Sequence, residues 1–413
     1  MKNKNVPEIR FKGFSGEWEL RKLRDIGKAT GGTSIESEFI KNGKYKVISI
    51  GSYSEESTYT DQGLRTNATA KTSPQILNKD DLTMILNDKT STGRIIGRVL
   101  LIDEDDTYIY NQRTQRIELY KEVFEPQFIY QLLNADSIRD KIVRSAQGNT
   151  QIYVNWSAIC EFVYYMPVDK AEQVAIGKFF HNFDKLITAE NEKLTLLKKH
   201  KKGLLQKMFP TDGETVPQIR FEGYTNAWKK RKLGEVINWH RGNGLPKSKL
   251  NQNKVGFPAL HYADLYKFGA VEHSVINWTE SDDGRVIPNN SVLFPMSDVT
   301  PKGLARTSTL NMSNVRAGGD VLIGQLADYI LAEFMSYQIN KNSSQILSLV
   351  TGTTVKHINS TALSTLNIMY TSIPEQTAIG NFLHNLDNII KFQAQKPEQL
   401  KTLKKAYLQK MFV

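Results

Sequence analysis

Cysteine is nearly absent: Cys160 is the only one in 413 residues. A lone thiol makes no intramolecular disulfide and no cysteine-based zinc site, and it fits a reducing cytoplasm. Long apolar runs are missing too. No stretch approaches the ~20 apolar residues that span a bilayer. The opening MKNKNVPEIRF turns polar before an apolar segment could serve as an export signal. The expectation is therefore a cytoplasmic chain with no membrane association. Catalytic signatures are also lacking. There is no Walker A loop for nucleotide phosphates, no Asn-Pro-Pro-aromatic tetrapeptide, no glycine-rich methyl-donor turn, no nucleophile elbow and no paired His-Glu helix. What is in excess is positive charge. Lysine and arginine number 54 against 43 acids, a net +11, which makes a polyanion the first partner to consider. The length suits two or three domains.

A repeat organises the chain. VPEIRFKGFSGEWELRKL, from Val6 to Leu23, recurs as VPQIRFEGYTNAWKKRKL from Val216 to Leu233, 210 residues later, with ten of eighteen positions identical. Pro7/Pro217, Arg10/Arg220, Gly13/Gly223 and Trp18/Trp228 are among them. EQVAIGKFFHNFDKLI at Glu172 to Ile187 recurs as EQTAIGNFLHNLDNII at Glu375 to Ile390, now 203 residues later. Both copies end in LQKMF, at Leu205 to Phe209 and Leu408 to Phe412. Such self-similarity marks a tandem duplication in which a variable region precedes a helical one.

The helical blocks have legible starts and seams. Asp169 and Ser372 stand three residues before Glu172 and Glu375, the pattern of a capping box. Phe183, Ile187, Glu190, Leu194, Leu197, Lys201, Leu204 and Met208 then step by four and three. Leu386, Ile390, Gln393, Pro397, Leu400, Lys404, Tyr407 and Met411 repeat the pattern. Two such seams pack on each other most simply. The lysine kept in both, Lys201 and Lys404, points to a register-setting position or to a place where the seam bends outward. Pro397 removes an amide and clashes with the preceding turn, so the second helix is expected to kink or restart near Lys396.

The variable regions are strand-rich. KVISI at Lys46, LTMIL at Leu82, IIGRVLLI at Ile95, SVLFP at Ser291 and DVLIG at Asp320 are bounded by turn residues. Helices are expected at about Pro126 to Val143 and Ala327 to Asn340. Each half is an α+β globule of domain size.

Two variable regions alternating with two helical blocks that open in EQ-x-x-I-G-x-F and close in LQKMF resemble the specificity subunit of type I restriction-modification enzymes. The openings at Pro7 and Pro217 are similar to that family as well. The resemblance covers essentially the whole chain. It implies a target-recognition domain over residues 1–168, a spacer helix over 169–210, a second target-recognition domain over 211–371 and a second spacer helix over 372–413. The implied fold is α+β, with two pseudo-repeated recognition domains separated by two long antiparallel helices forming a coiled coil. It further implies a non-catalytic protein that reads an asymmetric bipartite site on double-stranded DNA, with helices that set the spacer and dock two methyltransferase subunits. Endonuclease/translocase subunits would join. S-adenosylmethionine, ATP and magnesium would belong to those partners, with no cofactor in this chain. A helix from about Glu172 to Phe209 would run ~57 Å, enough to serve major-groove faces one turn, ~34 Å, apart.

Aligned at 210, Asp88-x-Thr90-x-x-Gly93 lies over Asp298-x-Thr300-x-x-Gly303, each just after an apolar strand. As a DNA-facing loop it would present Lys89, Thr90, Thr92 and Arg94 in one half and Ser297, Thr300, Lys302 and Arg306 in the other. As a plain turn, the Asp caps amides and the Gly supplies a positive φ. The two roles are compatible. NQRTQR offers Asn111, Gln112, Arg113 and Gln115, side chains able to bond base edges, or else a polar strand with alternating exposure. GNTQIY and GTTVKH, before the helical blocks, offer Asn149, Gln151, Tyr153, Thr353 and Lys356, and Arg241 and Arg316 complete the candidates. His181-Asn182-x-Asp184 and His384-Asn385-x-Asp387 share helical faces. Duplicated inter-helix or partner contacts explain them better than metal, so no metal site is expected. Two other readings stay open: a coiled-coil scaffold whose globules bind protein without DNA readout, and a single-chain nuclease with a divergent, metal-dependent site. Salt-insensitive binding would mark the first and cleavage by the chain alone the second.

Overall fold

In each variable region one of the apolar runs lies inside a sheet, Leu82–Ile85 in the first and Val321–Leu326 in the second. In the computed structural model, which describes residues 5–413 and so leaves the first four residues of the polar opening outside the described residues, Leu82–Ile85 is buried on both faces. It lies between Thr114–Leu119 and Val99–Leu101, with Gly27–Gly31 outside Thr114–Leu119, all antiparallel. A second sheet carries Arg65–Thr66, Tyr45–Ile48 and Tyr108–Tyr110, the last two parallel. The other half repeats the plan. Ile237–Arg241, Val321–Leu326 and Ser291–Pro295 make the antiparallel sheet, and Phe257–Leu260 runs parallel to Arg316–Ala317 in the second.

The chain forms two units, Met1–Asn191 with Gln395–Val413, and Glu192–Ala394. Each long helix, Lys170–Met208 and Ile373–Met411, is therefore shared between them. The LQKMF endings explain themselves here. Phe412 stacks at 5.8 Å on Phe180 and meets Trp18 at 6.4 Å in the first core, and Phe209 meets Trp228 and Phe334 at 5.9 and 5.3 Å in the second. Each variable region is closed by a ladder just before its helix: Glu19–Lys22 with Val163–Met166, and Lys229–Lys232 with Asn367–Tyr370.

The seam residues are all buried or half-buried, from Phe183 to Met208 and from Leu386 to Met411. Within each unit the helical halves run antiparallel. In the first, Phe179 meets Tyr407 at 5.2 Å and Lys404 Nζ donates to Asp184 at 2.6 Å. In the second, Lys201 pairs with Asp387. The repeated lysine is thus a partly buried cross-helix ion pair, which accounts for a charge inside an apolar seam.

Four expectations change. The capping boxes do not close. Asp169 does cap, accepting from Ala171 N at 2.8 Å, but Glu172 is taken by Arg10 through Nε and Nη2, both at 2.7 Å. Glu375 is likewise taken by Arg220 at 2.6 and 2.8 Å. A bidentate guanidinium outcompetes one amide for a buried carboxylate. The helix does not restart at Pro397, which lies inside Ile373–Met411 with its ring buried in the seam, where packing offsets one lost hydrogen bond. The helix near Pro126 is two, Pro126–Asn134 and Asp136–Arg144, joined by extended Ala135. Asn134 is pinned there by exchanging bonds with Val99 N and O at 3.0 and 2.9 Å. The helix expected from Ala327 begins only at Ala332 and ends at Lys341.

Candidate nucleic-acid interface

Two segments read separately in the sequence are neighbours in space. Ile152–Tyr153 pairs antiparallel with Asn87–Asp88, setting Ile152 opposite Asp88. Lys356–His357 pairs with Ser297–Asp298 in the same way, setting Lys356 opposite Asp298. In both units the loop leaving a buried apolar strand, Leu82–Ile85 or Ser291–Pro295, therefore lies beside the hairpin that precedes the helix.

The hairpins have tight, glycine-dependent tips. Gln147 bridges Tyr153 and Thr351 bridges His357. Gly148 and Gly352 at the turns have φ +102° and +100°, and a Cβ on either would strike the carbonyl oxygen of Gln151 or Val355. Only glycine is comfortable there. Residues 148–151 and 352–355 are exposed. Lys356 bends back, donating to the carbonyls of Gly352 and Thr353 at 2.7 and 2.8 Å.

The facing loops do act as capped turns. Asp88 is buried and accepts from Thr90 N and Oγ1, both at 2.9 Å, and from Ile95 N at 3.1 Å, and Gly93 has φ +67°. Thr90 also meets Thr92 at 2.7 Å between hydroxyls. In the second unit Asp298 accepts from Thr300 N at 3.0 Å, and Thr300 caps the short helix Pro301–Leu304. Gly303 is needed for a different reason, since a Cβ there would overlap the Asp298 carboxylate.

The candidates divide by exposure. Lys89, Thr90, Thr92, Arg94, Arg113, Asn149, Gln151 and Tyr153 are exposed in the first unit, as are Arg241, Thr300, Lys302 and Thr353 in the second, with Gln112, Ser297 and Lys356 half-buried. Arg113 O accepts from Leu86 N at 2.9 Å, which brings Arg113 to the base of the first loop. Arg94 pairs with Glu55 at 3.1 Å and Arg241 with Asp320 at 3.2 Å, both in the open, where such pairs are weak and readily exchanged. Ser297 Oγ lies 3.1 Å from His357 Nδ1.

Four candidates are engaged inside the protein. Asn111 is buried, accepting from Ile35 N at 3.1 Å and donating to Glu36 at 3.0 Å. Gln115 sits buried in Thr114–Leu119, which is flanked by strands on both sides and so lacks the alternating exposure of an edge strand. Arg306 donates to Tyr266 O at 2.5 Å. Arg316 stacks 4.2 Å from the Phe257 ring centroid and donates to Asp282 O at 2.5 Å.

Two supporting residues escaped the sequence reading. Arg139 donates to Gly93 O at 2.9 Å and holds the end of the first loop, and burial lowers its pKa. Glu36 accepts from Ser34, Asn111 and Gln112, hydrogen bonds that bring its carboxyl down to about 2, the Ser34 hydroxyl contributing most. Ser34 is a local partner of Glu36, but Asn111 and Gln112 lie 75 and 76 positions away and Gly93 lies 46 from Arg139, so no local pattern joins either residue to its loop.

The aspartates of the repeated His-Asn-x-Asp motifs, and His384 of the second, make contacts within their own units. Asp184 also accepts from Gln131 Nε2 at 2.7 Å, and Asp387 from Tyr337 OH at 2.7 Å. His384 Nε2 lies 3.2 Å from His273 Nε2. Among the described residues no group of three His, Cys, Asp or Glu could hold a metal, and no helix is long and apolar enough to cross a membrane.

Comparison with known proteins accords with this duplicated geometry. The family described as Type I restriction modification DNA specificity domain matches residues 15–199 and again residues 226–402. The chain is 21% identical over 433 residues to the type I restriction enzyme MjaVIII specificity subunit of Methanocaldococcus jannaschii, covering 98% of this chain and 94% of that one. It is 22% identical over 437 residues to the putative MjaX specificity subunit of the same organism, covering 98% and 95%. Its fold is similar to the type I restriction-modification S subunit from M. genitalium, with TM-score 0.64 at 15% identity over 99% of both chains. A chain from a structure on complex assembly and conformational transition of the type I system matches with TM-score 0.57 at 17% identity, over 95% of this chain and 97% of that one.

Proposed function

Since the chain belongs to the type I restriction-modification DNA specificity family, we propose that its two units read the two unlike halves of one bipartite site on double-stranded DNA. The observation that carries this is the shared loop-and-hairpin pair. The same two-residue ladder builds it in both units, while the side chains it presents differ. Lys89, Thr90, Thr92, Arg94, Gln112, Arg113, Asn149, Gln151 and Tyr153 reach one half-site. Arg241, Ser297, Thr300, Lys302, Thr353 and Lys356 reach the other. Lysines and arginines neutralise phosphates, whereas Gln, Asn and Thr read base edges. Asn111, Gln115, Arg306 and Arg316 hold the frame from inside.

The chain supplies recognition and its partners supply chemistry. Its long helices set the unread spacer and dock two methyltransferase subunits, and endonuclease/translocase subunits complete the assembly. S-adenosylmethionine, ATP and magnesium serve those partners, this chain holds no cofactor, and the complex works in the cytoplasm. The test is methylation mapping, by single-molecule sequencing, of a host expressing the chain with its methyltransferase against a host lacking only the chain. A new two-part motif with unlike halves and a fixed gap supports the reading. An active methyltransferase with an unchanged motif overturns it in favour of a protein-binding scaffold.

A further inference from the structure

The two loop pairs differ most at one place in the ladder. Immediately beyond the Asp88–Ile152 pair the strands carry Lys89 and Gln151, and immediately beyond the Asp298–Lys356 pair they carry Val299 and Val355. Both valines are open to solvent. Val299 is 75% exposed, the highest among the large apolar side chains of the described residues, and Val355 is 43% exposed. Nothing inside the unit requires them, because they lie outside the buried clusters. Two β-branched apolar groups at the tip of a polar loop, bordered by exposed Lys302, by Thr353 and by half-buried Lys356, demand a partner with apolar points on an anionic surface.

Double-stranded DNA offers one such point in the major groove, the 5-methyl group of thymine, recognised by apolar side chains. Building on the reading above, we infer that Val299 and Val355 are specificity-determining residues that contact thymine methyl groups in the half-site of the second unit, whereas Lys89 and Gln151 make polar contacts at the equivalent place in the first. The lysines nearby hold the backbone and keep the valines on the base edges. A protein partner fits less well, since two valines amid polar, basic loops offer little contiguous apolar area.

The test uses the chain assembled with its methyltransferase and duplexes carrying the mapped site, in which thymines are replaced one at a time by deoxyuridine, which lacks only the methyl. Loss of a buried methyl should weaken binding about fourfold at each contacted thymine, in one half-site only. The V299A/V355A double variant should bind thymine and uracil duplexes alike, and Val299→Thr should fall between. The inference is overturned if both halves ignore the replacement, if neither half contains thymine, or if the double variant still prefers thymine. It is also overturned if that variant loses its methyltransferase while its thymine preference persists, which would make the valines a protein contact. Absence of any sequence-specific binding by the native complex would instead sink the DNA-reading function itself.

Discussion

The latch that starts each long helix and the loop pair that faces outward have diverged to opposite degrees. Arg10 and Arg220 make the same two bonds to Glu172 and Glu375, carboxylates each 1% exposed. At the loop tips, Lys89 and Gln151 stand where Val299 and Val355 stand. Burial explains the contrast. A buried ion pair admits few substitutions, whereas an exposed tip on a fixed ladder accepts almost any side chain. One frame can thus carry two unlike reading surfaces.

The latch should give the largest effect. Glu172→Ala leaves Arg10 without its buried partner and should cost about 3–5 kcal/mol, read as an earlier thermal transition. Glu375→Ala should match it, and a much smaller loss at one of the two would break the equivalence of the units. The hairpin turns come next. Gly148→Ala and Gly352→Ala force a side chain into a left-handed conformation and should each cost about 1–2 kcal/mol. Binding to one half-site should weaken while the helical content by circular dichroism is unchanged.

Smaller again is the cross-helix pair. Lys201→Met and Lys404→Met should each change stability by about 1 kcal/mol or less, equally in the two units. The smallest effect separates the units. Glu36 has no acidic counterpart, since Pro246 stands 210 residues on. Hydrogen bonds lower its folded pKa from 4.5 to about 2. Its stabilisation is therefore present above pH 4.5 and is lost as pH falls towards 2. The difference in stability between the native chain and Glu36→Gln should shrink across that window, and a difference that grows on acidification would refute the assignment.

Periodicity made the seams legible, because each seam residue faces a neighbour every three or four positions whatever lies beyond. The duplication and the strand Leu82–Ile85 were legible for similar local reasons. Arg10 and Glu172 both stood out as repeated residues, yet their pairing spans 162 positions and no local pattern encodes it. The same limit misplaced Asn111 and Gln115, whose polar side chains suggest a surface until Glu36 and the flanking strands are known. Pro397 shows the converse, a strong local signal overridden by packing. At the loops the sequence supplied both members of each pair, and only the ladder joined them.

The central claim is that each unit reads its own half-site through its own loop pair. The most direct test replaces Lys89 and Gln151 with valine and maps methylation by the assembled complex. The account predicts altered bases in one half of the motif, with the other half and the gap retained. A motif changed in both halves, or in neither, would contradict it.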